Sequence, residues 1–326
     1  MRLNERAWQL LEALGDGQFH AGDALARALG ISRPSVCKLV SGLEAQGIVL
    51  HRIRGRGYRL PHAWQPLHAA TLLEALGPVR DVLAVEIRRE VDSTNAELLR
   101  QVVQQAHTGS VLVAEWQTAG RGRLGRRWMS GLGDALTFSL LWRFDAGLNA
   151  LAGLSLTVGV AIVRALKTLG VRDAGLKWPN DVITPQGKLA GILIEAQGDM
   201  LGPSTVVVGV GLNLRLPSLA ALAQIGQPVS GLAQLHAALP RREIVLAVLL
   251  RELVGVLQQF SREGFSQLGA EWQDCHVFQD RVVRVNLPDG RSLSGIARGV
   301  TLGGELCLET VEGLRYLNSG EVGEQA

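Results

Sequence analysis

The loop at positions 120–128 reads GRGRLGRRW and combines residue types that bind anions. Glycine lets a backbone approach a ligand closely, and arginine supplies fixed positive charge on a fork of donors. The residues concerned are Gly120, Gly122, Gly125, Arg121, Arg123, Arg126 and Arg127. Structural loops rarely concentrate this much unpaired charge, and neighbouring guanidinium groups repel one another. We therefore expect an anionic ligand to order the loop.

The same glycine spacing matches the dinucleotide fingerprint G-x-G-x-x-G, and Asp145 lies about twenty residues further on, where that motif expects an acid. The fingerprint also requires a helix that starts at the loop. The segment that follows contains Gly131 and Gly133 and then LTFSLLWRF, which predicts a strand. A nicotinamide or flavin site and a purely structural loop are therefore the less favoured interpretations.

Length and composition indicate a globular protein of two or three domains, because 326 residues with 47% hydrophobic content exceed one typical core. Cys37, Cys275 and Cys307 lie far apart, so neither a disulfide framework nor a zinc site is indicated. The apolar run at 150–163 is too short to span a bilayer and predicts a buried helix. We expect a cytoplasmic protein with no membrane partner and no resident metal site.

The first 62 residues carry the excess positive charge, with nine basic and five acidic side chains. Helical spacing covers 5–14 and 21–29, and Ser32 caps a third helix with Pro34 in its first turn. The segment IVLHRIRGRGYRL then predicts a β-hairpin. These elements predict a winged helix-turn-helix, and the side chains that we expect to reach DNA are Arg33, Ser35, Lys38, Arg54 and Arg56. A packing or dimerisation module with solvated arginines is the alternative.

The segment from residue 67 onward predicts a mixed α/β unit, which follows a stiff linker at 61–66. The sequence DSTN precedes a helix at 96–105, and a buried helix follows at 151–169. Pro179 favours a bend that displays Lys177 and Asp181 between strands. The segments GKLAGILIEA and STVVVGVGLNL predict a strand pair that carries Lys188 and Asn213. A helix is predicted at 241–260, and the tail from 272 predicts a small β-barrel.

Five motifs in this order resemble the biotin protein ligases: DSTN, GRGRLGRRW, KWPND, GKLAGILIE and GVGLN. The two terminal units resemble the bifunctional bacterial form that is also the biotin operon repressor. The resemblance implies an α/β multidomain fold. It consists of a winged helix-turn-helix at 1–62, an α+β catalytic domain like that of class II synthetases, with a mixed sheet, at 67–270, and an SH3-like β-barrel at 271–326.

The resemblance also implies a two-step reaction that uses ATP, biotin and Mg²⁺. Biotin's carboxylate attacks ATP to give biotinyl-5′-adenylate, and a lysine of the biotin carboxyl carrier protein of acetyl-CoA carboxylase then accepts the biotin. In repressor-type members the adenylate is the corepressor, which favours a homodimer that binds operator DNA. A ligase whose N-terminal domain does not bind DNA, a lipoate or octanoyl transferase, and a ligand-sensing repressor without catalysis are the alternatives.

The matching positions imply roles for twelve residues. The implied catalytic residues are Arg121, Arg123, Lys188, Lys177 and Asp181, where Asp181 either serves Mg²⁺ or orients the incoming lysine. The implied biotin and adenylate contacts are Ser93, Thr94, Asn95, Gln117, Arg121, Gly122, Arg123, Trp128, Lys188 and Asn213. Such a reaction requires positioned cations and backbone donors rather than a nucleophile of the protein, because a carboxylate and a triphosphate repel each other.

Overall fold

The N-terminal part consists of three helices and a two-stranded hairpin. The structure is a computed structural model that describes residues 3–104, 106–236 and 238–324. The elements are α1 (Glu5–Ala13), α2 (Gly22–Leu29), α3 (Arg33–Ala45), β1 (His51–Ile53) and β2 (Gly57–Arg59). Asn4 and Ser32 cap α1 and α3 by accepting hydrogen bonds from backbone N–H groups. The predicted helices and hairpin are confirmed within a few residues.

The central part is built on a mixed seven-stranded sheet. Its strands are β3 (Ala84–Val91), β4 (Ser110–Gln117), β5 (Ala135–Phe144), β6 (Gly175–Lys177), β7 (Asp181–Thr184), β8 (Gly187–Gly198) and β9 (Ser204–Asn213). They lie in the order β3-β4-β5-β9-β8-β7-β6, and only β3 and β4 are parallel. The predicted pair of strands that carries Lys188 and Asn213 is confirmed as β8 and β9.

The helices of the central part pack around this sheet. They are α4 (Ala69–Leu76), α5 (Thr94–Val103), α6 (Leu154–Thr168), α7 (Leu219–Ile225), α8 (Arg242–Glu263) and α9 (Gly269–Asp274). Because Ser93 is the N-cap, α5 begins at Thr94 and not at the predicted residue 96. The prediction of a buried helix is confirmed by α6, although it begins three residues later than expected. Two segments, Leu148–Thr168 and Arg242–Glu263, have the length and apolar composition of a membrane span, but both are mostly buried inside the protein.

The C-terminal part is a five-stranded antiparallel sheet. Its strands are β10 (Val282–Asn286), β11 (Ser292–Val300), β12 (Leu306–Thr310), β13 (Gly313–Leu317) and β14 (Glu321–Glu324), in the order β13-β12-β11-β10-β14. The sequence predicted a small β-barrel here, whereas the described strands form an antiparallel sheet with a linear strand order. Its buried residues Val283, Val285 and Leu306 belong to the same hydrophobic core as the central sheet. Packing thus joins the two sheets into one body.

The segment between the N-terminal and central parts is held in place. Trp64 is buried, and its indole N–H donates to the carboxylate of Glu115 on β4, which also accepts from Leu67 N. Arg242 completes this clamp by donating to Glu115 and to the carbonyl of Gln65. The predicted stiff linker is thus a docked segment rather than a free spacer.

The junction between the two sheets contains a buried histidine. His276 is 5% exposed and lies between Trp272, with ring centroids 4.6 Å apart, and Phe278, at 6.4 Å. Neither ring nitrogen makes a hydrogen bond of good geometry to a described residue. Burial lowers the pKa of His276 to about 4, and the side chain of Gln279 opposes this only in part. The neutral form is therefore the one that the fold accommodates.

Acid is expected to weaken the fold through this residue. Because the unfolded histidine has a pKa near 6.5 and the folded one near 4, the unfolded chain binds more protons between these values. The contribution of neutral His276 to stability should be fully present above pH 6.5, and about 3 kcal/mol of unfolding free energy should be lost by pH 4. Urea unfolding of the wild type and of His276→Phe at pH 7, 5.5 and 4 measures this contribution. Equal pH dependence of the two proteins would refute it, and His51→Phe, an exposed site, is the control.

Candidate functional site

One cavity of about 740 Å³ brings the predicted residues of the central part together. The residues that line it include all twelve of them: Ser93, Thr94, Asn95, Gln117, Arg121, Gly122, Arg123, Trp128, Lys177, Asp181, Lys188 and Asn213. They come from the start of α5, the end of β4, the arginine loop at 120–128, the β6–β7 bend and strands β8 and β9. The strand ends and the helix start therefore converge on a single site.

The start of α5 supplies a polar wall of the cavity, formed by Ser93, Thr94, Asn95 and the neighbouring Gln117. Ser93 caps the helix, and its hydroxyl accepts from Ala96 N. The side-chain oxygen of Gln117 accepts from Thr94 N at 2.7 Å and lies 3.2 Å from Thr94 Oγ1. Although Ser93, Thr94 and Asn95 are each less than 5% exposed, all three line the cavity. This wall presents hydroxyl and amide groups held by the protein itself.

The arginine loop differs from expectation in one respect, because its four guanidinium groups are not unpaired. Arg121 lies 2.9 Å from Glu195, and Arg126 forms an ion pair with Glu321. Arg123 donates to the Asn180 side chain at 3.2 Å, and Arg127 donates to the Thr118 carbonyl at 3.3 Å. Carboxylates and carbonyls of the protein thus offset the repulsion among the four guanidinium groups. We had expected an anionic ligand to be needed for this.

The loop also departs from a dinucleotide-binding turn, as predicted. A short 3₁₀ turn, Arg123–Gly125, replaces the helix that the fingerprint requires, and strand β5 follows. Leu124 and Gly125 adopt positive φ angles of 54° and 74°, whereas Gly122 is extended at −124°. Position 120 has no room for a side chain, since a Cβ there would lie 2.5 Å from the carbonyl oxygen of Trp128.

Two lysines and one aspartate meet at the β6–β7 bend. Lys188 Nζ lies 2.6 Å from Asp181 Oδ1, a close ion pair that lacks the angles of a hydrogen bond. Burial lowers the pKa of Lys177, and the neighbouring Lys188 adds to this effect while Asp181 opposes it. Burial also lowers the pKa of Arg123, which Asp181 again opposes. Two carboxylates, Asp181 and Glu321, line the cavity together with six cationic side chains, which leaves the site suited to an anionic ligand.

Trp128 lies across the sheet inside the cavity. A Cβ at Gly211 would lie 2.4 Å from its ring, and one at Gly191 would lie 3.1 Å away. The indole therefore packs on two strands where side chains are absent. Its buried N–H has no described hydrogen-bond partner. The accessible part of the ring offers a flat apolar surface to a ligand.

Sequence reasoning missed residues of the cavity that come from other parts of the chain. Asn286 and Glu321 line it from the C-terminal sheet, and Asn180 lines it beside Asp181. The amide of Asn180 donates to the carbonyl of Ile192 and accepts from Arg123, so it ties the arginine loop to β8. Asn180 belongs to the KWPND motif and could therefore have been predicted as a site residue from the sequence. Nothing in the local sequence around Asn286 or Glu321 signals their position.

The residues predicted to reach DNA lie in the N-terminal part, away from the residues that line the cavity. Arg33, Lys38, Arg54 and Arg56 are exposed, whereas Ser35 is half-buried and its hydroxyl lies 2.8 Å from that of Ser32. Two of these arginines have partners within the protein. Arg33 lies 3.6 Å from Asp23, and the guanidinium of Arg56 lies 4.8 Å from the centre of the Phe19 ring. The four basic side chains are accessible to a polyanion.

Among the described residues, no three or more His, Cys, Asp or Glu side chains are grouped to hold a metal ion. Asp181 supplies one carboxylate of the kind that Mg²⁺ binds, although its Oδ1 already lies 2.6 Å from the Lys188 ammonium. Mg²⁺ is commonly held by one or two carboxylates together with the phosphates of a substrate. The cavity therefore fits a substrate-borne magnesium ion better than a metal cage built by the protein.

Comparison with known proteins gives consistent matches. The Biotin/lipoate A/B protein ligase family model matches residues 87–213, and the Biotin protein ligase C terminal domain model matches residues 280–322. The bifunctional ligase/repressor BirA of Escherichia coli is 33% identical over 322 residues, which cover 99% of this chain and 98% of that protein. A biotin–acetyl-CoA-carboxylase ligase of Mycobacterium tuberculosis is 36% identical over 243 residues, covering 73% of this chain and 88% of that protein.

Solved structures agree with these matches. The biotin protein ligase from Aquifex aeolicus in complex with biotin and ATP superposes with a TM-score of 0.62 and 28% sequence identity. The superposition covers 73% of this chain and 97% of that chain.

Substitution of Gly211 by alanine is expected to displace Trp128. The new methyl group would lie 2.4 Å from the indole ring, so the variant should lose about 1–3 kcal/mol of unfolding free energy and change its near-ultraviolet circular dichroism. Gly323→Ala is the matched control, because Gly323 lines the same cavity but a Cβ there would meet nothing within 4 Å. Identical spectra and stabilities of the two variants would contradict the packing described for Trp128.

Proposed function

Because this chain belongs to the biotin protein ligase family, we propose that its cavity joins biotin to ATP and then transfers biotin to a lysine of a carrier protein. The observation that carries the proposal is the presence of Arg121, Arg123, Lys177 and Lys188 in the same cavity as the polar wall at the start of α5. Fixed cations suit a carboxylate and a triphosphate, and the wall suits a neutral polar ring. Biotin supplies the ring and the carboxylate in one molecule.

In the first step, a biotin carboxylate oxygen attacks the α-phosphorus of ATP, and the bond to pyrophosphate breaks. The two reactants repel each other, and negative charge accumulates on the phosphoryl oxygens in the transition state. Lys188 and the arginine loop supply positive charge beside the reacting groups. Asp181 holds Lys188 at 2.6 Å and thereby fixes the position of its ammonium group.

The polar wall suits the ureido group of biotin. A urea requires hydrogen-bond acceptors for its N–H groups and donors for its carbonyl. Hydroxyl and amide groups of Ser93, Thr94, Asn95 and Gln117 provide both kinds. Trp128 offers an apolar surface that suits the adenine or the thiophane ring. Lipoate has no ureido group, so this wall favours biotin over lipoate as the substrate.

Magnesium would accompany ATP, and Asp181 is the residue that would hold it. The ion would neutralise phosphate charge while bound. The alternative role of Asp181 is to orient the incoming lysine in the second step. In that step the lysine amine attacks the carboxyl carbon of the adenylate, AMP leaves, and the amine proton passes to solvent or to a nearby base. Asp181→Asn separates the two roles, because only the first predicts a raised magnesium requirement in adenylate formation.

Lys188→Gln is expected to lower the rate of biotin-dependent ATP–pyrophosphate exchange by about 100-fold or more, the usual effect of removing one preorganised donor to developing charge. Lys167→Gln removes an exposed lysine outside the cavity and should leave the exchange unchanged. The measurement is incorporation of labelled pyrophosphate into ATP with biotin, with lipoate and with neither. Exchange that depends on lipoate and not on biotin would replace this proposal by a lipoate ligase.

We further propose that the chain regulates transcription. The Escherichia coli relative that covers the whole chain is named as a ligase and repressor. The three helices and hairpin of residues 1–62 suit a winged helix-turn-helix that presents Arg33, Ser35, Lys38, Arg54 and Arg56 to operator DNA. Biotinyl-5′-adenylate would act as corepressor by favouring a homodimer that binds two half-sites.

We also propose an acceptor protein, domain limits and a cellular location. The biotin acceptor would be the carrier protein of acetyl-CoA carboxylase, and the proposed domain limits remain 1–62, 67–270 and 271–326. Helix α9 crosses the last of these limits, so the third domain would begin within a helix. Cys37, Cys275 and Cys307 are all free thiols, which supports a cytoplasmic location.

Arg54→Ala and Arg56→Ala are each expected to weaken DNA binding and to lower the slope of log affinity against log salt by about one, as expected for one lost phosphate contact. The measurement is fluorescence anisotropy of the biotin-operon promoter over a salt series, with and without biotin and ATP. Arg291→Ala, which removes an exposed arginine of the turn between β10 and β11, is the control. Absence of binding by the wild type under every condition would leave a ligase without repressor function.

A further inference from the structure

A chain of polar contacts runs behind the proposed biotin pocket and joins residues of five separate elements. Its members, in order, are Gln117, Thr94, Ser139, Asn95, Glu195 and Arg121. Four of them line the cavity, but neither Ser139 nor Glu195 is among the described residues that do so. These two side chains therefore hold other residues without facing the cavity themselves.

Ser139 lies at the centre of this chain. It is fully buried on β5, and its hydroxyl donates to Asn95 Oδ1 at 2.6 Å and lies 2.8 Å from Thr94 Oγ1. Directly opposite it on β9 is Gly209, where a Cβ would lie only 2.1 Å from Asn95 Oδ1. The absence of a side chain at this position makes room for the Asn95 amide above the sheet.

Glu195 holds the other side of the same amide. Gly209 pairs with Leu193 on β8, whose carbonyl accepts from Asn95 Nδ2 at 3.1 Å. Two residues along the same strand, Glu195 accepts from Asn95 Nδ2 at 3.0 Å and pairs with Arg121 at 2.9 Å. The carboxylate thus links a fixed residue of the sheet to a residue of the arginine loop.

These contacts determine what Asn95 offers to a ligand. Both hydrogens of its amide are engaged by Leu193 and Glu195, and Ser139 occupies one side of its carbonyl oxygen. The remaining lone pair of that oxygen is an acceptor with a fixed direction. An acceptor of this kind suits an N–H group of the ligand, and an amide free to rotate would discriminate less well.

We infer that Ser139 and Glu195 are positioning residues for biotin, because they fix Thr94, Asn95 and Arg121 in one connected arrangement without touching the ligand. This inference rests on the function proposed above. It assigns substrate recognition to two buried or half-buried side chains whose contacts, taken singly, would only attach α5 and the loop to the sheet.

The test measures biotin-dependent ATP–pyrophosphate exchange by the full chain with Ser139→Ala, Glu195→Ala and both substitutions. Each single variant should raise the KM for biotin by about 3- to 10-fold, the effect of one net hydrogen bond, with a smaller change in kcat. Since both act through Asn95, the double variant should raise the KM by less than the product of the single effects. Glu195→Gln retains an acceptor for Asn95 and should raise the KM less than Glu195→Ala.

Two controls separate positioning from stability. Ser204→Ala removes another buried serine of the same sheet, whose hydroxyl donates to Ala146 O, and Glu271→Gln removes a carboxylate paired with Arg164 outside the cavity. Both should leave the KM for biotin unchanged even where they lower the melting temperature. Ser139→Cys, which keeps a weak donor, should restore part of the affinity lost in Ser139→Ala.

The outcomes are distinguishable. A lowered melting temperature with unchanged KM in Ser139→Ala and Glu195→Ala would overturn the inference, as would strictly multiplicative effects in the double variant. No biotin-dependent exchange in the wild type would overturn the proposed function and this inference with it.

Discussion

Repulsion among positively charged side chains is the constraint on which the site depends. Arg121, Arg126 and Lys188 face one cavity, and each lies against a carboxylate: Glu195, Glu321 and Asp181, respectively. Each carboxylate is half-buried and belongs to a different strand. The fold therefore gives three of the cavity's cations an acidic partner, which reduces the repulsion among them and leaves the site positively charged. An anionic ligand has to compete with these partners or bind beside them.

The position of the C-terminal sheet follows from this constraint. Glu321 lies on β14, far from the arginine loop in sequence, yet it pairs with Arg126 and lines the cavity. It reaches this position because the two sheets share a continuous core, in which Trp178 beside the β6–β7 bend is fully buried and donates its N–H to the carbonyl of Gly304. Apolar packing thus fixes the position of Glu321 relative to the arginine loop, and the ion pair with Arg126 forms within this arrangement. A change in the core at this junction would alter the electrostatics of the cavity.

The sequence predicted the parts of the site that depend on local rules. Ser93 stands where a helix cap is required, Pro179 bends the chain between Lys177 and Asp181, and Lys188 begins a strand. The partners of the arginine loop were not predictable in this way, because ion pairs between distant positions leave no local pattern. The same holds for Ser139, which in sequence is one polar residue in an apolar strand. Only the strand order places it opposite Gly209 and beneath Asn95.

The end of β4 shows why the N-terminal part and the cavity cannot be treated as independent. Three consecutive residues there contact different parts of the molecule: Glu115 holds Trp64 and Arg242, Trp116 packs in the N-terminal hydrophobic core, and Gln117 accepts from Thr94 in the polar wall. A free linker would let residues 3–60 reorient without cost. Here reorientation would leave the buried carboxylate of Glu115 short of donors, which is costly in an apolar setting. The N-terminal part is therefore held in one orientation by the same strand end that shapes the ligand pocket.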